Sequence, residues 1–573
     1  MATPSSPRFE HHRVALGIGE ATPRLSWKTI APAGWHQEAY EVETVRGGET
    51  TTSGRIESTE SVLVPWFGAP LESRERAEVR VRVWGADGAS PWSETGTVEA
   101  GLLHPTDWTA APVTCSWPEA TELDERRPPQ VRREFTLTGP IRSARLYATA
   151  HGLYEVELNG TRVGDDALSP GWTVYGKRLR YYTYDVTGQL VEGANAIGSW
   201  LGDGWYRGRL GWRGGFHNLF GDDLSLVAQL EVTYEDGRVE TIATDASWKA
   251  ALGPIVRSGL YDGEVYDARD ELPGWSSAGF DDSGWTPVTV GERDATTLVA
   301  PQGPPVRCTQ EVAPIEVLTA PSGARILDLG QNLVGRLRIR VSGAAGETVT
   351  IRTAEVMQDG EIYTRPLREA KSTDVYTLRG EGIEEWEPRF TIHGFRYAEI
   401  TGWPGDLDAA VAAGDVVARV YHTDMERTGW FDSSNPLVNR LHENVLWGMR
   451  GNFVDIPTDC PQRDERVGWT GDIQVFAPTA SFLYDVSGML SSWLKDVAVE
   501  QLPDGTVPWY VPVIPAHHMW TPIRPGAVWG DVAVLTPWVL YERALHDRAL
   551  FDALAAAALP VRGVALAASR AVG

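Results

Sequence analysis

Between Asp455 and Asp472 the chain reads DIPTDCPQRDERVGWTGD. Five carboxylates (Asp455, Asp459, Asp464, Glu465, Asp472) and two arginines (Arg463, Arg466) crowd around Cys460, Pro461 and Trp469. Carboxylates this close push one another's proton affinities apart, so one stays protonated while its neighbours ionise. Glycoside hydrolysis uses that division: one carboxylic acid protonates the leaving oxygen, and a second carboxylate activates water or attacks. The arginines offset the repulsion, and the indole offers a flat apolar face to a sugar ring. The competing reading is an ion-paired surface loop, because structural networks perturb proton affinities too. Charge pattern alone leaves the two evenly matched.

The run DCPQRDERVGWTGD at 459–472 resembles the active-site signature of bacterial α-L-rhamnosidases, family 78 of the glycoside hydrolases. The resemblance implies an inverting hydrolase that removes terminal α-L-rhamnose from rhamnosylated glycosides or oligosaccharides. It implies a catalytic pair of Glu465 and Asp459, with Glu465 the general acid. Asp459, Arg463, Trp469 and Asp472 would hold the rhamnose. Trp529 and Asp531, in WGDVAVLTPW, are further candidate sugar contacts. No cofactor is implied for catalysis. Two rivals stand beside this reading: a related toroid glycosidase acting on another sugar, and a carbohydrate-binding fragment without catalysis.

The loop needs elements to position it. The 573 residues are enough for several domains. Residues 1–105 read as a small β-sandwich, with alternation in EVRVRVWG (78–85), and resemble a fibronectin type III module. Residues 106–304 form a second all-β unit, where Asn159-Gly160 between alternating runs marks a hairpin. It resembles the rhamnosidase N-terminal jelly-roll of carbohydrate-binding type. Trp172, Trp205, Tyr206 and Trp212 are candidate sugar platforms there, although single aromatics in strands are more often core. Asp165, Asp166, Asp203, Asp222 and Asp223 supply oxygens, but no ordered calcium loop is present, so a metal stays open. Residues 305–420 resemble the family's concanavalin-like β-domain. Glu355 could reach the active site, and His393 reads as a satisfied core histidine. Residues 421–573 open an all-α unit, with Asn435-Pro436 as helix start, a second helix from about Asp472, and a third beyond Gly488. This fits the start of an (α/α)₆ toroid. The long loop 503–529 reads as a lid or binding loop, and its His517-His518 pair lacks a third metal ligand at useful spacing.

The net charge of −25 argues against nucleic acid or anionic membrane surfaces as partners. Three scattered cysteines (Cys115, Cys308, Cys460) give neither a zinc motif nor a disulfide framework. The N-terminus lacks an apolar signal core, and a cytoplasmic location is expected; oligomeric state is left open. A full toroid needs roughly twelve helices of ordinary length, more than 421–573 supplies, and no glutamate follows Arg543. The expectation is therefore a C-terminally truncated toroid that ends before its general base. Apolar helix faces would then stand exposed.

Overall fold

The computed structural model describes residues 2–515 and 523–543. His517-His518 and the 554–573 stretch lie outside the described residues. Alternation builds the first module. In the strand Arg76–Gly85, Ala77, Val79, Val81 and Val83 point inward and are buried, while Arg80 and Arg82 lie over the Trp92 ring outside. This strand sits centrally in a seven-stranded sheet, between Ala39–Arg46 and Gly96–Ala100.

The second module is a pair of six-stranded sheets. Ile141–His151 and Ser225–Tyr234 pair at the centre of one; Pro129–Leu137 and Gly193–Gly202 pair at the centre of the other. Val131, Leu146, Ile197 and Leu230 fill the space between them. The hairpin expected at Asn159-Gly160 is present: both residues have positive φ (50° and 79°), and Leu158 pairs with Thr161. Trp172 and Trp205 are buried and stacked with centroids 6.1 Å apart, so they are core. Tyr206 stacks on His151 at 4.7 Å.

The third sheet has eleven strands around Arg325–Val341 and does not respect the boundary read at 304/305. Asp166–Ala167 pairs with Val306–Val312 at one side, and the hairpin Ile255–Gly259/Gly263–Asp267 docks on Thr373–Thr377 at the other. Both of those flanking pieces come from the jelly-roll stretch. His393 is the satisfied core histidine expected: it is buried, with Nε2 3.0 Å from Asp374 and Nδ1 3.2 Å from Ser372.

The helical part contains α1 (Pro436–Asn452), α2 (Thr470–Leu483), α3 (Ser487–Glu500) and α4 (Val532–Arg543). Asn435 caps α1, its side chain accepting from Leu437 N at 3.0 Å. Only the C-terminal half of α1 is packed: Leu446 and Met449 are buried, whereas Leu437 is 78% and Leu441 61% exposed. Val475 and Phe482 on α2 are exposed too, so apolar helix faces do meet solvent. Gly488 lies inside α3 rather than ahead of it. The break falls at 484–486, where Asp485 accepts from Ser487 N at 3.1 Å. Glycine is needed at 488 because the Gln302 carbonyl approaches too closely for any Cβ. Among the described residues no helix is long and apolar enough to cross a membrane.

Candidate active site

The signature loop runs from the end of α1 to the start of α2, and its charged residues divide into two groups. The first group is structural. Asp455, in the left-handed region (φ 67°), accepts from Trp172 N at 2.6 Å and pairs with Arg180 at 2.5 Å. Both partners belong to the jelly-roll, and both charges are buried. Arg466 (φ 51°) donates to four carbonyls: Leu260 and Ile392 at 2.7 Å each, Arg463 at 3.0 Å and Gln462 at 3.1 Å. Left-handed backbone costs a non-glycine residue about 1–2 kcal/mol; here buried charge-assisted hydrogen bonds, the stronger class, offset it. Asp464 is fully buried and accepts from Gly214 N at 2.9 Å. These three, counted in the sequence as part of a reactive cluster, instead shape the loop.

The second group is the site. Glu465 is buried, yet three N–H donors converge on it. Arg463 Nε and Arg368 Nη1 donate to Oε2 at 3.0 and 2.9 Å, and Trp469 Nε1 donates to Oε1 at 3.0 Å. Its own carbonyl accepts from the Tyr261 hydroxyl at 2.5 Å. Asp459 is bridged to Glu465 through Arg463, whose Nη2 reaches Asp459 at 3.2 Å. Donor atoms of Asp459, Cys460 and Glu465 lie within 4.8 Å of one another. Burial first, and the Glu465 charge second, push Asp459 up to about 7. The Cys460 thiol is held well above its usual value, mainly by burial. Asp459 is therefore the carboxyl of this site that burial keeps protonated toward neutral pH.

Above the carboxylates stands an aromatic wall. Trp469, Trp212 and Tyr510 meet edge to face at 5.4–6.1 Å, so the jelly-roll contributes Trp212 directly. Asp472 sits exposed on the first turn of α2. Trp529 lies over Gly471, 3.1 Å from where a Cβ would stand, and is partly exposed. Asp531 makes a local contact, accepting from Val528 N at 3.3 Å. Glu355 accepts from Asn332 at 2.9 Å in the concanavalin-like stretch. Four of the five jelly-roll aspartates fall into arginine pairs rather than one cluster: Asp165 and Asp166 with Arg307, Asp203 with Arg207, Asp222 with Arg126.

Sequence-level reasoning missed Arg368 and Tyr261. Arg368 follows the short turn Arg365–Leu367 and has positive φ (55°); no local pattern marks it. Tyr261 stands in the turn between the strands Ile255–Gly259 and Gly263–Asp267, without a sequence signal for contact with the loop.

Known proteins resemble this chain over nearly all of its length. A curated α-L-rhamnosidase from Streptomyces avermitilis is 36% identical over an alignment that covers 96% of this chain and 69% of that protein. The chain belongs to the α-L-rhamnosidase family. Family models follow it in order: the Rha78A-like N-terminal immunoglobulin domain at 4–104, the α-L-rhamnosidase N-terminal domain at 139–310, the bacterial α-L-rhamnosidase concanavalin-like domain at 318–422, and the six-hairpin glycosidase domain at 426–556. The crystal structure of an Aspergillus terreus α-L-rhamnosidase superposes with a TM-score of 0.94 at 48% identity, covering 98% of this chain and 64% of that one. The Streptomyces avermitilis α-L-rhamnosidase complexed with L-rhamnose gives 0.91 at 34%, covering 97% and 70%. The chain thus spans 64% and 70% of these two rhamnosidases, and 58% of an α-L-rhamnosidase from Formosa agariphila. The first module is of immunoglobulin type, a sandwich of the general kind expected from its strands.

Proposed function

We propose that this chain belongs to an α-L-rhamnosidase that cleaves terminal α-L-rhamnose from glycosides with inversion, Glu465 being the general acid. One observation carries the reading: a buried glutamate held by donors from three directions, beside an aspartate that keeps a proton near neutral pH. A neutral deoxysugar fits against the partly exposed Trp469, which the buried Trp212 and Tyr510 hold in place. Glu465 delivers a proton to the glycosidic oxygen as the C–O bond breaks, and water attacks the anomeric carbon from the far side, giving up its proton to a base carboxylate there. In inverting enzymes the acid and base carboxylates stand roughly 6.5–9.5 Å apart to admit that water.

The test is hydrolysis of an aryl α-L-rhamnoside by the purified chain, with the anomer of released rhamnose followed by proton NMR. The expected first product is the β-anomer. Release of the α-anomer first would overturn inversion. Saturable rhamnose binding with no turnover would select the carbohydrate-binding reading instead.

The Asp459–Glu465 pair also predicts a pH effect on stability. Asp459 has a folded value near 7 against an ordinary value of 3.8. A carboxyl raised on folding contributes stability fully below its unfolded value, and that contribution is lost as pH rises through about 7. Asp459→Asn stays neutral throughout, so its melting temperature should gain on the parent chain between pH 5 and pH 8, by an amount worth a few kcal/mol. An equal difference at both pH values would show that Asp459 ionises freely.

A further inference from the structure

Behind the catalytic loop the jelly-roll stretch holds a small pocket with about 20 Å³ of room, lined by Arg126, Arg207, Arg209 and Arg257 with Ser258 and Asp262. That space suits one particle of water size or slightly larger. We infer that it is a binding site for a single monatomic anion, chloride in physiological media. The donors face a shortage of acceptors. Arg207 is 3% exposed; its Nε pairs with Asp203 and its Nη1 donates to Glu119 at 2.7 Å, but its Nη2 is buried with no partner among the described residues. Arg257 Nε and the buried Ser258 hydroxyl are in the same position.

The charges agree with the donors. Arg126 pairs with Asp222, and Arg209 with Asp262, which Lys371 shares at 3.8 Å. Arg257 makes no ion pair among the described residues, so a bound negative charge would supply its missing counter-ion. Guanidinium groups stay protonated and only donate, which excludes a metal cation. The room excludes a sugar, and it leaves little for a polyatomic oxyanion. A buried guanidinium N–H without an acceptor is costly, so the anion stabilises the fold where it binds. The loop Leu260–Asp262 carries this to the active site: Tyr261 donates to the Glu465 carbonyl and Leu260 accepts from Arg466.

Crystals of the chain grown in bromide test the site by anomalous scattering. A bromide peak between Arg207, Arg257 and Ser258 is expected, and it should be absent from Arg257→Gln. At matched ionic strength, chloride should raise the melting temperature over gluconate by a few degrees, saturably, and Arg257→Gln should lose that response. A water without anomalous signal in the pocket of the parent chain would overturn the inference, as would an undiminished chloride response in Arg257→Gln. Should the variant fold poorly, the anomalous map of the parent chain decides alone.

Discussion

Glu465→Gln is expected to lower turnover of an aryl α-L-rhamnoside by about 10²–10⁴-fold, the usual worth of positioned general acid catalysis. Glutamine keeps the shape of the side chain and an acceptor oxygen for Arg463, Arg368 or Trp469, so the cradle survives while the deliverable proton is lost. The loss should fall on kcat more than on KM, because the proton is transferred only in the transition state. Leaving-group chemistry sharpens the test: a good phenolate leaving group needs less protonation, so the deficit should shrink with activated substrates. A Glu465→Gln variant within a few-fold of the parent on a poor leaving group would remove Glu465 from the acid role and turn attention to Asp459, whose carboxyl burial pushes up to about 7.

Asp455→Ala is expected to be the most destabilising substitution in the signature. It strands the Arg180 guanidinium in the interior and deprives Trp172 N of its acceptor. Removing one partner of a buried ion pair typically costs about 3–5 kcal/mol, against a total stability of roughly 5–15 kcal/mol for a domain. Asp455→Asn retains an acceptor and should lose less. A second pair ties the same two regions together: Arg178 to Asp496 of α3 at 2.8 Å. Denaturant unfolding should show Asp455→Ala shifting the helical region and the jelly-roll together. A loss under about 1 kcal/mol would mean that Arg180 finds water or another acceptor.

These predictions separate what the sequence reveals from what it conceals. The run 459–472 marks the right loop, and Asn435-Pro436 and Asn159-Gly160 mark real element boundaries, because caps and hairpin turns are set by local backbone chemistry. Composition does not say which charges of a cluster turn inward toward carbonyls. Asp455 and Arg466 have the same residue types as Asp459 and Arg463, but their partners, Arg180, Leu260 and Ile392, lie far away in the chain. Arg368 and Tyr261 are hidden for the same reason: each reaches the loop from a distant part of the chain. Gly488 reads as a break from sequence alone because close approach and turning both call for the missing Cβ.

The eleven-stranded sheet has an implication for how such genes can be reassembled. Strands from the stretch before residue 304 flank it on both sides. A crossover at that point would join a jelly-roll to a foreign concanavalin-like neighbour whose edges had never been matched to it, leaving rows of unpaired N–H and C=O groups open to aggregation. Residues 106–420 are therefore heritable as one cassette. Chimeras that swap this whole block should express as soluble protein, and those that cut within it should not.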